Sequence, residues 1–348
     1  MKLYLNTTHT DSQFNLASEE YLITNANDDI IMLWRNEASV IIGKNQNAYA
    51  EINFDFTEKN GVKVVRRLTG GGAVFHDLGN VNFTFISPKG GVLAEGIREG
   101  GLDFAHFTKP IINALSSLGI KAKLSGRNDI VVETDDGERK VSGNAQCVLG
   151  GATLHHGTLL FSASLERLQG ALNVDPTKLK SKGIASVRSR VANIKSLLSE
   201  NTAANVPDAE AFMAFLGEYL SSEFSVTAQG FTPEEEKGIE ALAKAKYRTD
   251  EWNLRRFATF ERSVKHRFDF GSLEASMSVS DGVITDVNIF GDFFGVRDIC
   301  ELSDKLRGAV LAREAIEAAL DGVNVGEFIS GASAEDIAVL LTMADTVS

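Results

Sequence analysis

The sequence predicts an α+β protein built as two units, and three observations carry that prediction. Through the first 248 residues, short apolar runs suited to strands are interleaved with stretches of helical 3–4 spacing. Beyond about Thr249–Asn253 the pattern becomes two strictly alternating runs: Leu273, Ala275, Met277 and Val279, then Val283, Thr285, Val287 and Ile289. They hinge at Asp281-Gly282 and two helical stretches follow. At 348 residues two cores are more natural than one. A larger catalytic-sized domain over residues 1–248 and a smaller accessory domain over 249–348 are therefore expected.

In chain order, Asp11 or Ser12 caps a helix running to residue 25, with Phe14, Leu16 and Leu22 inward. Residues 30–34 and 39–43 read as a strand pair joined across 35–38. A short helix at 53–60 stops at Gly61, and 62–65 is a buried strand. Residues 82–87 form another strand, followed by a glycine-rich loop over 88–101. Asp103 caps a helix whose apolar face is Phe104, Phe107, Ile111, Leu115 and Leu118. Then come a strand at 120–124, a hairpin pairing 129–133 with 139–142, a strand at 158–162 and a helix at 165–172. Helices carrying Phe212, Leu216 and Leu220, and then spanning 233–246, precede the second unit, whose helices fall at 311–320 and 334–343.

Composition excludes several classes. A formal charge of −12 argues against a general nucleic-acid binder, which would neutralise phosphates. No apolar run is long enough to span a bilayer, and the N-terminus lacks an apolar signal core, so a cytoplasmic protein is expected. Cys147 and Cys300 sit in no metal-ligand or disulfide pattern. Against this acidic background, Lys178, Lys180, Lys182, Arg188 and Arg190 form a run with no acid in it. Such a run is either a solvated basic loop or a loop that closes over an anion.

The stretch that organises the chain is Arg66-Arg67-Leu68-Thr69-Gly70-Gly71-Gly72-Ala73-Val74-Phe75-His76-Asp77. Three glycines let backbone approach a ligand closely, and successive N–H groups can form an anion-binding concavity beside two guanidinium cations. By itself the loop is also compatible with a tight turn bearing solvated arginines. It matches neither common nucleotide fingerprint.

This loop resembles the signature of lipoate–protein ligases. Further segments fit the same family in order: Phe14-Asn15-Leu16-Ala17, Trp34-Arg35-Asn36, Gly126-Arg127-Asn128-Asp129, Lys140-Val141-Ser142-Gly143, His155-His156-Gly157-Thr158 and Lys182–Arg190. The resemblance implies a mixed-sheet catalytic domain of the biotin/lipoate ligase type with a small C-terminal α+β accessory domain. It further implies ATP and Mg2+ as cofactors, lipoate as substrate, and lipoyl-domain acceptor proteins as partners. Those acceptors are 2-oxoacid dehydrogenase acyltransferase subunits or the glycine cleavage H protein. Neither a nucleic acid nor a membrane is expected as a partner.

A carboxylate resists attack by an amine until it is activated, and the resemblance implies activation as an acyl-adenylate. That chemistry needs positioning and charge stabilisation rather than a protein nucleophile. Lys140 falls on the family's essential lysine and is the implied catalytic cation, contacting both carboxyl and α-phosphate. Read without the family, it is more readily a strand-edge lysine in solvent, the usual fate of lysine. Arg67, Gly72, Ala73, Val74 and Phe75 match the ATP-contacting stretch, with Val74 and Phe75 against base or acyl chain. Gly70, Gly71, His76 and, more weakly, Arg66 are implied on the lipoate side. Asp129 is the implied magnesium ligand and ATP contact, with a plain turn residue as the alternative. His155 and His156 lack metal spacing and are expected to pack under the lipoate slot, His156 touching it. Lys182 and Arg188 are implied as anion contacts of an adenylate-covering loop.

A rival of the same fold transfers octanoyl or lipoyl groups through a cysteine thioester without ATP, and Cys147 is its candidate nucleophile. A silent lipoate- or biotin-binding regulator would need a DNA-reading element, and no such signature is visible.

Overall fold

The computed structural model describes residues 1–97, 101–135, 137–173, 191–254 and 260–344. Among these residues fourteen strands occur: β1 (Lys2–Leu5), β2 (Ile30–Trp34), β3 (Ser39–Ile42), β4 (Lys63–Arg66), β5 (Val74–His76), β6 (Asn80–Ser87), β7 (Ala122–Ser125), β8 (Asp129–Thr134), β9 (Gly137–Leu149), β10 (Ala152–Leu160), β11 (Ala228–Gln229), β12 (Arg262–Phe268), β13 (Gly271–Ser280) and β14 (Val283–Gly291). The α+β class stands as expected. Eight strands form one mixed sheet in the order β11-β1-β2-β6-β10-β9-β8-β7, parallel at β11-β1-β2 and antiparallel beyond. A three-stranded sheet, β4-β3-β5, packs over part of it, and β12-β13-β14 form a separate antiparallel sheet.

The large sheet is covered on both faces. Helices Phe104–Ser117 and Ala209–Glu223 bury one face around Phe83, Phe85, Phe107, Ile111, Phe212 and Leu216. Helices Ser12–Asn25 and Pro233–Leu242 cover the other around Tyr4, Leu16, Met32, Trp34 and Tyr247. Local chemistry sets the helix starts. Asp11 accepts from Gln13 N at 3.2 Å, Asp103 accepts from His106 N at 2.9 Å, and Thr232 with Glu235 forms a capping box ahead of Pro233. Among the described residues no helix is long and apolar enough to cross a membrane.

One expected pairing is corrected. Residues 30–34 and 39–43 do form strands, but β2 pairs with β1 and β6 whereas β3 pairs with β4 and β5. Both strands are buried along their whole length, so each sits inside its own sheet. The link 35–38 lacks the Asn-Gly or Asp-Gly pair that favours a two-residue hairpin turn. It is a corner, held by the fully buried Asn36, which accepts from Asn15 Nδ2 at 2.9 Å.

The C-terminal sheet and helices Ile299–Leu306, Arg313–Ala319 and Ala334–Thr342 enclose their own core, including Leu273, Met277, Phe293, Leu302 and Leu341. Its contacts with the larger body include Gly291 N donating to Asn45 O at 3.0 Å and a Lys44–Asp298 ion pair at 2.9 Å. The turn Asp250–Asn253 is bonded to the larger body: Asn253 is buried, and its Oδ1 accepts from Arg66 N at 3.0 Å. We therefore propose a division of the units after Asn253 rather than at 248/249.

Candidate active site

Between the large sheet and β4-β3-β5 lies a slot of about 130 Å³. From the large sheet, Trp34, Asn82, Thr158 and His156 face it; from the other side come Ile41, Arg67, Gly71, Gly72, Ala73, Val74 and His76. Lys140 and Asn128 line it as well.

The Gly loop is shaped by its own arginine. Arg67 is nearly buried, and its guanidinium donates to Ile41 O at 3.1 Å, Gly70 O at 2.6 Å and Gly72 O at 2.9 Å. Burial pushes its pKa down to about 10, opposed by the field of Glu19, so it remains a cation at neutral pH. Gly71 has φ of 88°, a conformation that a side chain would strain. Its N–H donates to Phe293 O of the C-terminal unit at 3.2 Å. That amide of the expected anion nest is thus engaged here by a carbonyl.

Lys140 on β9 reaches over Gly143 to Asp129 on β8, with Nζ 2.7 Å from Asp129 Oδ1. A Cβ on Gly143 would come within 2.7 Å of that nitrogen, so the glycine gives the lysine its path. The two are about equally exposed at the mouth, 31% and 30%. Where the described chain resumes after residue 190, Val191 pairs with Lys140 and Ala192 N donates to Lys140 O at 2.9 Å. Lys182 and Arg188 themselves lie outside the described residues. Asp129 is a lone carboxylate: among the described residues no cluster of three His, Cys, Asp or Glu side chains could hold a metal.

Three residues expected at the site do not line the slot. Arg66 is fully buried, and its guanidinium donates to the carbonyls of Gly43, Lys44, Gln46, Trp252 and Asn253; it anchors β4 and does not line the slot. Gly70 faces the C-terminal unit, where a Cβ would meet Phe293 O at 2.2 Å. Phe75 lies in the small core with Val40, Ile42 and Ile52. Alternation along β5 sends Val74 and His76 to the slot and Phe75 away from it.

The histidines divide by strand face. His76 is buried, and its Nδ1 is 3.0 Å from Asn36 Nδ2. Asn36 Oδ1 already accepts from Asn15, so its amide end donates to His76 and leaves the ring proton on Nε2. Among the described residues Nε2 has no protein partner, and burial pushes the ring's pKa down to about 3. His156 lines the slot, with Nδ1 2.8 Å from Glu19 Oε1. His155 turns to the opposite face, fully buried among Phe83, Phe104 and Phe107, and among the described residues neither ring nitrogen has a partner; burial holds it neutral. Cys147 is buried beside Leu154 and Ile86, away from the slot, and burial pushes its thiol up to about 12. Sequence reasoning missed Trp34, Asn82, Thr158 and Glu19 as site residues. Trp34 and Thr158 had a signal, their places in the Trp-Arg-Asn and His-His-Gly-Thr segments; Asn82 and Glu19 had none.

Residues 11–219 match the family described as "Lipoyl protein ligase A/B catalytic domain", and residues 258–341 match "Bacterial lipoate protein ligase C-terminus". The chain is 40% identical over 344 residues to lipoate-protein ligase LplJ of Bacillus subtilis, covering 97% of this chain and 98% of that protein. The chain belongs to the lipoate–protein ligase family. As a member of that family it is an enzyme that forms a carbon–nitrogen bond. Its fold is similar to LipL1 of P. falciparum, solved in complex with lipoate, with a TM-score of 0.72, 27% identity and coverage of 98% and 97%. It also resembles lipoate-protein ligase A bound with ATP, at TM-score 0.56 and 28% identity over 73% of this chain and 98% of that one. A third likeness is a bi-partite lipoate protein ligase of Thermoplasma acidophilum, described with its E2 lipoyl domain, at TM-score 0.58 and 29% identity over 75% of this chain and 98% of that one.

Proposed function

We propose that this ligase activates free lipoate with ATP to lipoyl-AMP, releasing pyrophosphate, and transfers the lipoyl group to a lysine of an acceptor lipoyl domain. The observation that carries the reading is Lys140 standing at the mouth of an apolar-walled slot beside the Arg67-shaped Gly loop. The relatives described with ATP and with lipoate support the choice of substrates, and the one described with its E2 lipoyl domain supports the class of acceptor.

In the first step a carboxylate oxygen of lipoate attacks the α-phosphorus, and the bond to pyrophosphate breaks. Lys140 leaves Asp129 to bridge the carboxylate and α-phosphate, offsetting the repulsion between two anions. Leu16, Trp34, Ile41 and Val74 hold the acyl chain out of water, and His76 and Asn82 supply polar wall. Asp129, freed of the lysine, is a single carboxylate of the kind that holds magnesium together with substrate phosphates and waters. Magnesium would neutralise charge on the triphosphate. In the second step the acceptor amine attacks the carbonyl carbon, AMP departs with the bonding electrons, and the amine proton goes to solvent. The acceptor class proposed is a lipoyl domain of a 2-oxoacid dehydrogenase acyltransferase or the glycine cleavage H protein.

Incubation of the protein with lipoate, ATP and Mg2+, following pyrophosphate release, tests the first step. Release that depends on lipoate is the expected result; none would sink the reading. Thioester transfer through Cys147 is disfavoured by the thiol's burial and by its place outside the slot lining. Cys147→Ala should therefore keep ATP-dependent transfer, whereas ATP-independent transfer lost in Cys147→Ala would favour the rival.

A further inference from the structure

Two hydrogen-bond chains from opposite walls of the slot end on one carboxylate. Glu19, on helix Ser12–Asn25, is 2% exposed, and a carboxylate only accepts. Its Oε1 accepts from Thr84 Oγ1 at 2.7 Å, and its two oxygens lie 2.8 and 3.0 Å from His156 Nδ1. With Nδ1–H donating to Glu19, His156 Nε2 is an acceptor for the Thr69 hydroxyl at 2.8 Å. The Thr69 oxygen accepts in turn from Arg67 Nε at 2.9 Å. On the other branch, Thr84 Oγ1 accepts from Trp34 Nε1 at 2.9 Å.

Every donor in these chains points toward Glu19. Guanidinium and indole N–H groups cannot accept, so the sense is set at both far ends. A doubly protonated His156 would break the pattern, because Thr69 would then face two donors and its own hydrogen would lose its acceptor. Arg67 also clamps the carbonyls of Gly70 and Gly72, so the setting of its guanidinium is the setting of the Gly loop. Trp34 stands across the slot on β2.

We propose that Glu19 is a positioning residue for this site: through His156 and Thr69 it orients Arg67 and the Gly loop, and through Thr84 it orients Trp34. Linked polar groups of this kind act as a unit, so breaking any member releases the rest. The negative charge of Glu19 also opposes the burial cost of the Arg67 cation. The kinetic part of the test rests on the ligase reading; the spectroscopic part does not.

Glu19→Gln replaces one of the two oxygens facing His156 Nδ1 by an amide donor and removes the charge that opposes the burial cost of Arg67. Thr69→Val removes the middle hydroxyl without touching charge, and Thr69→Ser keeps it. Glu19→Gln and Thr69→Val should each lower kcat/KM for ATP in pyrophosphate release by roughly ten- to a hundredfold, the scale on which misplaced positioning groups act. Thr69→Ser should stay near wild type, and the double variant should be no worse than its worse single. Glu20→Gln is the control, since Glu20 holds Lys246 and Tyr247 rather than the slot. In the wild-type protein, nitrogen NMR should find His156 carrying its proton on Nδ1. An Nε2–H tautomer, wild-type kinetics in a folded Glu19→Gln, or losses that multiply in the double variant would overturn the proposal. If Glu19→Gln fails to fold, equal activity in Thr69→Val and Thr69→Ser overturns it. If wild-type protein releases no pyrophosphate, the ligase reading fails while the ring tautomer still decides the chain.

Discussion

At the scale of single residues, Lys140 is the cation to which the proposed chemistry assigns the carboxylate and α-phosphate, and its partner Asp129 is partly exposed. Lys140→Ala should cut adenylate formation by about a hundredfold or more, as losing a preorganised charge contact does. Melting temperature should barely move, because a solvent-screened ion pair contributes little to stability. Pyrophosphate release and thermal unfolding measured on the same sample check both halves. A second prediction concerns acid. His76, held at about 3, and His155, held well below the usual range, are neutral in the fold, whereas in the unfolded chain each titrates near 6.5. As pH falls below about 6.5 the unfolded state takes up protons that the folded state refuses. Stability therefore falls with decreasing pH in that window, by about 1.4 kcal/mol per pH unit for each ring, and neither ring contributes above it. His155→Leu should flatten that slope by one proton and leave the protein as stable or more so at neutral pH. It removes a buried imidazole, without hydrogen-bond partners among the described residues, from a box of Phe83, Phe104 and Phe107. Urea unfolding across the acid range checks it; an unchanged slope contradicts it.

At the scale of elements, the β8–β9 pair presents the lysine and Gly143 keeps its path open. In Gly143→Ala the new methyl group would meet Lys140 Nζ at 2.7 Å, the movable tip of a flexible side chain. The lysine should yield rather than the backbone, so activity should fall at least about tenfold, by displacement of the reacting cation, with little loss of stability. Wild-type kinetics in this variant would show that the lysine's path does not matter. Elements were legible where the signal is local. Helix starts followed from Asp11 and Asp103 because a cap is a contact within one turn. The β13–β14 hairpin followed from alternation and Asp281-Gly282, where Asp281 takes φ of 50° and Gly282 of 77°. β1 and β12 escaped notice. β1 is sandwiched between β11 and β2 with Leu3 and Tyr4 both buried, so it lacks alternation, and β12 is an edge strand rich in charge.

At the scale of the whole molecule, the C-terminal unit reaches into the site. Phe293 O takes the Gly71 N–H, and Phe294 is buried against Phe104 and Ala145. Arg127 lies 4.4 Å over the Phe294 ring and donates to Phe270 O at 2.7 Å. A chain ending at Leu254 should still fold, because the large sheet and its two covering layers form a core of their own. Its adenylation or transfer rate should fall, since the Gly loop loses the partner it packs on. Circular dichroism and the pyrophosphate assay on the truncated chain check this; an insoluble, unfolded product would show that the proposed division is wrong.

By itself the sequence determined the α+β class, the two-part organisation, the family and the strand that carries Lys140, because these rest on periodicity, caps and ordered motifs read along the chain. What lines the slot was decided only by tertiary structure. Gly70 and Gly71 look alike in sequence, yet one is a glycine because Phe293 O lies against it and the other because its φ is positive. Arg66 and Arg67 are neighbours, and strand geometry sends one into backbone carbonyls and the other to the slot. Glu19 carries no motif at all. Its role comes from His156 on β10, Thr84 on β6 and Thr69 after β4 meeting at one point. Their side chains come from distant parts of the chain, and strand register and sheet packing bring them there.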